Sequence, residues 1–194
     1  LSVIMEEIKI ADLEFKKLIS KEEISKKIDD LAEIVTKDYG DKYPVFLVVL
    51  TGSIFFATDL LRRLNFDLNV QVVSAKSYTE GTESSGLVRI ENLNMDIKER
   101  DVLLIEDIVD TGITLSSIYN QIKKFKPKSV ETVALLSKPS KRIVQVNASY
   151  IGFEIPEEFV VGYGMDYNEL ARNLEDIYIL KEEEDEEKGV EESE

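Results

Sequence analysis

Three aliphatic runs constrain the fold of this chain more than any other feature: "VFLVVL" (45–50), "DVLLIED" (101–107) and "SVETVALLS" (129–137). A strand with one face in water alternates apolar and polar residues, whereas an unbroken apolar run has both faces covered. Between and before these runs the period changes. Ser20 and Glu23 have capping-box spacing, and Ile24, Ile28, Leu31, Ile34 and Val35 then recur at helical intervals. This pattern predicts an amphipathic helix over 21–38, closed by the turn "YGDKYP". "TGS" leads into a second helix over 54–64, and a third runs from about Leu115 to Phe125. "NVQVVSA", "LVRI", "ASYIGFEI" and "FVVGYG" read as further strands, the last two around "PEE". "KSYTEGTESSG" (76–86), polar and rich in small residues, reads as an excursion from the sheet. Buried strands alternating with helices specify an α/β fold, with a mostly parallel central sheet flanked by helices.

Composition narrows the chemistry. The 194 residues suffice for one domain with a substantial core, and no internal repeat or linker divides them. There is no cysteine and no histidine, which excludes thiol chemistry, Ser-His-Asp hydrolysis and His-ligated zinc. Acid–base work therefore falls to carboxylates, lysines or tyrosines, and a metal would be a hard, oxygen-liganded ion such as Mg2+. Of the net charge of −15, residues 181–194 carry nine acids against two lysines, leaving −8 on the body. That segment reads as an acidic disordered tail beyond a single domain over 1–180. An acidic body argues against nucleic-acid binding. No apolar run reaches the roughly 20 residues of a membrane span. The opening residues lack the pattern of a secretory signal, so a cytoplasmic address is the expectation.

The acids gather at one place. In "LLIEDIVDTGITL" (103–115) Glu106, Asp107 and Asp110 follow a buried strand, and Thr111, Gly112 and Thr114 come next. Ligands of open α/β sheets bind beyond the carboxyl ends of strands. A glycine turn with two hydroxyls opening a helix makes a phosphate cradle from freed N–H groups. Neighbouring carboxylates suit ribose hydroxyls, or Mg2+ on a pyrophosphate. A strand end with a plain helix cap would need one such residue. Neither GxxxxGK[ST] nor GxGxxG occurs, so other phosphate motifs fit poorly.

This motif resembles the ribose-5-phosphate and pyrophosphate binding motif of type I phosphoribosyltransferases. "VLTGSIFFATDLLRRL", "SAKSYTEGTESSGLVRI", "LLSKPS" and "YIGFEIPEEFVVGYGMDYNELARNL" follow in the order and spacing of hypoxanthine-guanine phosphoribosyltransferases, from about residue 15 to 180. The resemblance implies the type I fold, with a small hood from the N- and C-terminal segments and a flexible lid loop. It implies transfer of a phosphoribosyl group from 5-phosphoribosyl 1-diphosphate (PRPP) to N9 of hypoxanthine or guanine, giving IMP or GMP and pyrophosphate, with Mg2+. By the same likeness Glu106 and Asp107 would bind the ribose hydroxyls and the metal. Asp110 would be the general base facing purine N7, and Asp110, Thr111, Gly112, Ile113 and Thr114 would wrap the 5-phosphate. Lys138 would donate to the purine 6-oxo group, Phe159 would stack on the ring, and the Val160 backbone would bond its edge. Asp166 would serve the metal while its neighbouring backbone reads the purine 2-position, and Arg172 would contact pyrophosphate. Ser77 and Tyr78 would close over pyrophosphate from the lid. Thr51, Gly52 and Ser53 match the pyrophosphate loop, where the family uses a non-proline cis peptide; Thr51 stands where many members carry Lys or Arg. Dimers and tetramers are the family's habit.

Rival readings remain at this stage. A magnesium-dependent phosphotransfer or receiver-type α/β domain also places acids at a strand edge, but a haloacid-dehalogenase-like enzyme wants a nucleophile in DxD spacing, which Glu106-Asp107 and Asp110 lack. A non-catalytic RNA-binding relative would want a basic face. Xanthine stays open as an acceptor, whereas Lys138 disfavours adenine, whose 6-amino group is itself a donor.

Overall fold

The strands sort into two sheets. The computed structural model describes residues 7–80, 83–91, 96–146 and 148–181, and the side chains of all of these except 75–91. In chain order these residues form β1 (Glu7–Ile10), β2 (Leu13–Ile19), α1 (Lys21–Tyr39), β3 (Val45–Leu50), α2 (Ile54–Leu61), β4 (Asn69–Glu80) and β5 (Glu83–Glu91). Then come β6 (Asp101–Val109), α3 (Ile113–Ile122), β7 (Ser129–Ser137), β8 (Tyr150–Glu154), β9 (Val160–Val161) and β10 (Ile177–Leu180). The larger sheet has the order β5-β4-β3-β6-β7-β8. Its strands are parallel except β5, which pairs antiparallel with β4. The smaller sheet, β1-β2-β10-β9, is antiparallel and joins the first strands of the chain to the last.

The apolar runs do what their composition requires. Val45, Phe46 and Leu47 of β3 and Val102, Leu103, Leu104 and Ile105 of β6 are fully buried. Successive side chains face opposite sides of a strand. Leu103 and Ile105 thus enter the core beneath α1 and α2, while Val102 and Leu104 enter the one beneath α3. α1 starts where the capping box places it: Glu23 N–H donates to Ser20 Oγ at 3.3 Å, and Ser20 N–H donates to Glu23 Oε2 at 2.9 Å. Its buried stripe includes Ile24, Ile28, Leu31 and Val35.

Several elements differ from the sequence expectation. α2 ends at Leu61 rather than 64, because the Arg63 and Leu64 N–H groups bond to the Leu60 and Leu61 carbonyls, three residues back instead of four. α3 begins two residues early, at Ile113, and gives way to a 3₁₀ turn over Lys123–Phe125. The polar stretch 76–86 is a continuation of β4 and β5 for residues 76–80 and 83–86, paired antiparallel, and not a break in the sheet. β1, β2 and β10 had no counterpart in the sequence reading. The tail expectation over 181–194 starts one residue early: Lys181 N–H donates to the Glu14 carbonyl at 3.0 Å, and its ammonium lies 3.1 Å from Glu7. Residues 182–194 lie outside the described residues. Among the described residues no helix is long and apolar enough to cross a membrane.

β3 leads one way to β4 and β6 leads the other way to β7, so the sheet's order reverses between them. Their carboxyl ends form the crevice where open sheets place ligands. Phe56 of α2 is fully buried in the core that supports this crevice. Phe56→Ala should cost about 3–5 kcal/mol of folding stability, measured by denaturant titration.

Candidate active site

β6 delivers its acids into the crevice under strain of charge. Glu106 is only 7% exposed, and burial pushes its carboxyl well above the usual carboxylate range, with the charge of Asp107 adding to the rise. Asp107 is raised as well, again by burial, although the Ile108 N–H donates to its Oδ1 at 2.8 Å and Arg172 opposes the shift. Strand alternation turns Glu106 toward the α3 face and Asp107 toward the α2 face. There Asp107 meets the loop after β3, where a Cβ on Gly52 would collide with the Asp107 carboxylate. The Leu50–Thr51 peptide in that loop is cis, and the Thr51 side chain is exposed.

Beyond the acids the chain turns sharply. Gly112 has φ +83°, a left-handed conformation that favours glycine. The turn brings Glu106, Asp107, Asp110, Thr111, Gly112 and Thr114 around one cavity of about 240 Å3, at the start of α3. Ile113 follows as the first residue of the helix. A second hollow of about 300 Å3, lined by Lys21, Phe55, Asp59, Tyr163 and Glu175 among others, includes none of these acids.

On the other flank stands Lys138, 3% exposed, immediately after β7. Its Nζ donates to the Glu158 carbonyl at 2.8 Å and lies 3.9 Å from Asp110 Oδ2. Burial lowers its pKa and Asp110 pulls it back up. Lys141 approaches the same Asp110 oxygen at 3.5 Å, leaving Asp110 Oδ1 buried and without a hydrogen-bond partner. Phe159 is 44% exposed, and the Tyr167 ring packs against it in a T-shaped arrangement at 6.1 Å. Val160 is buried in β9, the edge strand of the smaller sheet.

Asp166 and Arg172 hold one another: Arg172 Nη2 lies 2.9 Å from Asp166 Oδ1, and Nη1 donates to the Gly164 carbonyl at 3.0 Å. "DYNELARNL" is therefore a series of turns, with Asn168, Glu169 and Ala171 at positive φ. Ser77 and Tyr78 fall in β4, and their side chains lie outside the described residues. Two neighbours went unnoticed in the sequence, Lys141 and Arg142. Their signal was the basic run that continues past Lys138.

The comparisons decide the family. The model of the phosphoribosyl transferase domain matches residues 16–168. This chain belongs to the phosphoribosyl transferase domain family. Its sheet is that of the type I fold. It is similar to the hypoxanthine-guanine phosphoribosyltransferase of Bacillus subtilis, 43% identical over 167 residues, which are 86% of this chain and 93% of the relative. It is also similar to the bifunctional protein TilS/HprT of Listeria monocytogenes, 48% identical over 167 residues, but spans 26% of that protein's length. The crystal structure of a hypoxanthine phosphoribosyltransferase from Staphylococcus aureus superimposes with a TM-score of 0.81 at 44% identity, covering 85% of this chain and 90% of that one.

The donor set of this phosphoribosyl transferase domain fits Mg2+. Asp107 feels the charge of Asp166. Among the described residues no three candidate ligands converge. Magnesium commonly takes one or two carboxylates and completes its shell with phosphate and water.

The buried Glu106 makes a testable signature. Its carboxyl keeps its proton to a higher pH folded than unfolded. The stability it lends is complete below the ordinary value of about 4.3 and is lost as pH rises through the raised one. In chelator-treated protein, Glu106→Gln, which cannot ionise, should gain Tm over wild type progressively as pH rises above about 4.3. A difference flat with pH would contradict the burial of an ionisable carboxyl there.

Proposed function

We propose that this chain is a purine-salvage enzyme, a hypoxanthine-guanine phosphoribosyltransferase that moves the 5-phosphoribosyl group of PRPP onto N9 of hypoxanthine or guanine. The observation that carries the reading is convergence. The strand-end acids and the hydroxyl-bearing glycine turn share one cavity, and a buried lysine stands beside its Asp110.

In this mechanism Glu106 and Asp107 bind the ribose hydroxyls, and the turn from Asp110 to Thr114 seats the 5-phosphate with its backbone N–H groups. Purine N9 attacks C1′ as the bond to pyrophosphate breaks, through a state with oxocarbenium character like that of glycoside cleavage. Asp110 takes the N7 proton as the ring becomes a nucleophile. Its unpartnered, buried Oδ1 supports that role, because that oxygen has an acceptor position to give. Lys138 donates to the 6-oxo oxygen, which selects 6-oxopurines over adenine. Phe159 stacks on the ring and the Val160 backbone bonds its edge. The backbone at Thr51 and Gly52, with Arg172, holds pyrophosphate, and Ser77 and Tyr78 close over it to exclude water. One or two of the carboxylates Glu106, Asp107 and Asp166 would hold Mg2+, with phosphate and water completing its shell, and when bound it offsets the charge that departs with pyrophosphate. A cytoplasmic homodimer or homotetramer completes the proposal.

The test is ultraviolet absorbance with PRPP, Mg2+ and each purine in turn. Turnover of hypoxanthine or guanine supports the proposal; no turnover of any purine overturns it. Asp110→Asn should lower kcat by about 10²–10⁴-fold while PRPP affinity changes far less. Equal losses in kcat and affinity would reduce Asp110 to a binding residue.

A further inference from the structure

Arg142 is a cation without a counterion, standing directly behind the turn assigned to the 5-phosphate. It follows the 3₁₀ turn Pro139–Lys141 and is half-buried. Its Nη2 donates to Ser137 Oγ at 2.9 Å, whereas Nη1 is buried without a hydrogen-bond partner. Among the described residues it makes no ion pair. The nearby Asp110 carboxylate is engaged by Lys138 and Lys141 instead. A buried guanidinium nitrogen left unpaired is unfavourable unless an anion answers its charge.

The chain around Arg142 is strapped to the phosphate turn. The N–H groups of Ile143 and Val144 both donate to the Thr111 carbonyl at 3.0 Å. A Cβ on Gly112 would meet Arg142 Cδ at 3.1 Å and run into the Val144 carbonyl. The Arg142 stem therefore lies against the turn's glycine, on the side away from the cavity, whose lining does not include it. A dianion seated in the turn would face a glycine against which the Arg142 stem packs, with Nη1 buried and unpaired at the end of that stem. Arginine is the side chain best suited to a lasting charge–charge contact with phosphate.

We propose that Arg142 is a positioning residue for the 5-phosphate: its charge favours the dianion from behind Gly112, and the strap 142–144 holds the turn in shape. The assignment rests on the phosphoribosyl-transfer reading of the site. It adds a cation at Gly112 to the two lysines that stand at Asp110, in a chain where Thr51 brings none to the pyrophosphate loop.

The experiment compares wild type, Arg142→Lys, Arg142→Gln and Ser137→Ala. Ribose 5-phosphate binding is measured by calorimetry, and initial rates are taken with PRPP and hypoxanthine. Arg142→Gln should weaken ribose 5-phosphate and raise the KM for PRPP by about tenfold or more, with the KM for hypoxanthine unchanged. Arg142→Lys and Ser137→Ala, which keep the charge, should stay within about threefold of wild type. Arg142→Met, which retains the packed stem, repeats the charge removal should Arg142→Gln not fold. Unchanged ribose 5-phosphate affinity without the charge overturns the proposal. So does an equal loss in the Lys and Gln variants, which would make the bond to Ser137 the operative contact. The two readings fail separately. Wild type that binds ribose 5-phosphate but transfers nothing to any purine sinks the enzyme assignment and leaves Arg142 testable by binding. Active wild type with an unaffected Gln variant sinks Arg142 alone.

Discussion

Burial of β6 on both faces, in the middle of a parallel sheet, is the constraint from which the site follows. Val102 to Ile105 have no exposed surface, and each such aliphatic side chain contributes about 1.5–3 kcal/mol when taken out of water. That gain holds the strand in register between β3 and β7, and the register carries Glu106 and Asp107 to the crevice whatever they would prefer. A desolvated carboxylate costs several kcal/mol unless partnered. The sheet supplies the force, and the acids are left where hydroxyls or a cation stabilise them most. Glu106 responds by holding its proton, and Asp107 by accepting a backbone N–H and facing Arg172.

The opposite flank solves its charges differently. Asp110 has lysines on one oxygen and nothing on the other, while Lys138 is buried yet fixed by the Glu158 carbonyl. One carboxylate is thus oriented by cations on one side, with its other oxygen left free. The same short segment, from Lys138 to Val144, touches both Asp110 and the turn at Thr111, the two halves of the proposed substrate site. Rigid coupling of the two halves of a substrate-binding surface is what near-attack positioning needs.

Legibility in the sequence tracked locality. The parallel strands announced themselves because each is a run of apolar residues, and α1 because its cap and stripe lie within one helix. The acids and glycine of the phosphate turn were readable for the same reason, being thirteen consecutive residues from Leu103 to Leu115. β1, β2 and β10 were not. "LEFKKLI" mixes lysines into a short strand, and its partner "IYIL" lies more than 150 residues away. A lone phenylalanine such as Phe159 would be placed in a core, yet it is exposed beside Tyr167. Arg142 illustrates the limit best, since only the folded strap brings it behind Gly112. Family resemblance supplied the roles of Lys138, Asp166 and Arg172, which spacing by itself does not disclose.

The smaller sheet imposes an order on the protein's making. β2 pairs with β10, and β9 joins only through β10. A ribosome releases β2 long before residues 177–180 exist, so β2 must wait with its hydrogen-bonding edge unmatched while the large sheet is synthesised. Such an edge is a template for wrong partners, including a neighbouring nascent chain. Lysines at 16 and 17 keep that waiting strand soluble. The wall carrying Phe159 and Val160 is therefore completed only once residues 177–180 have been made.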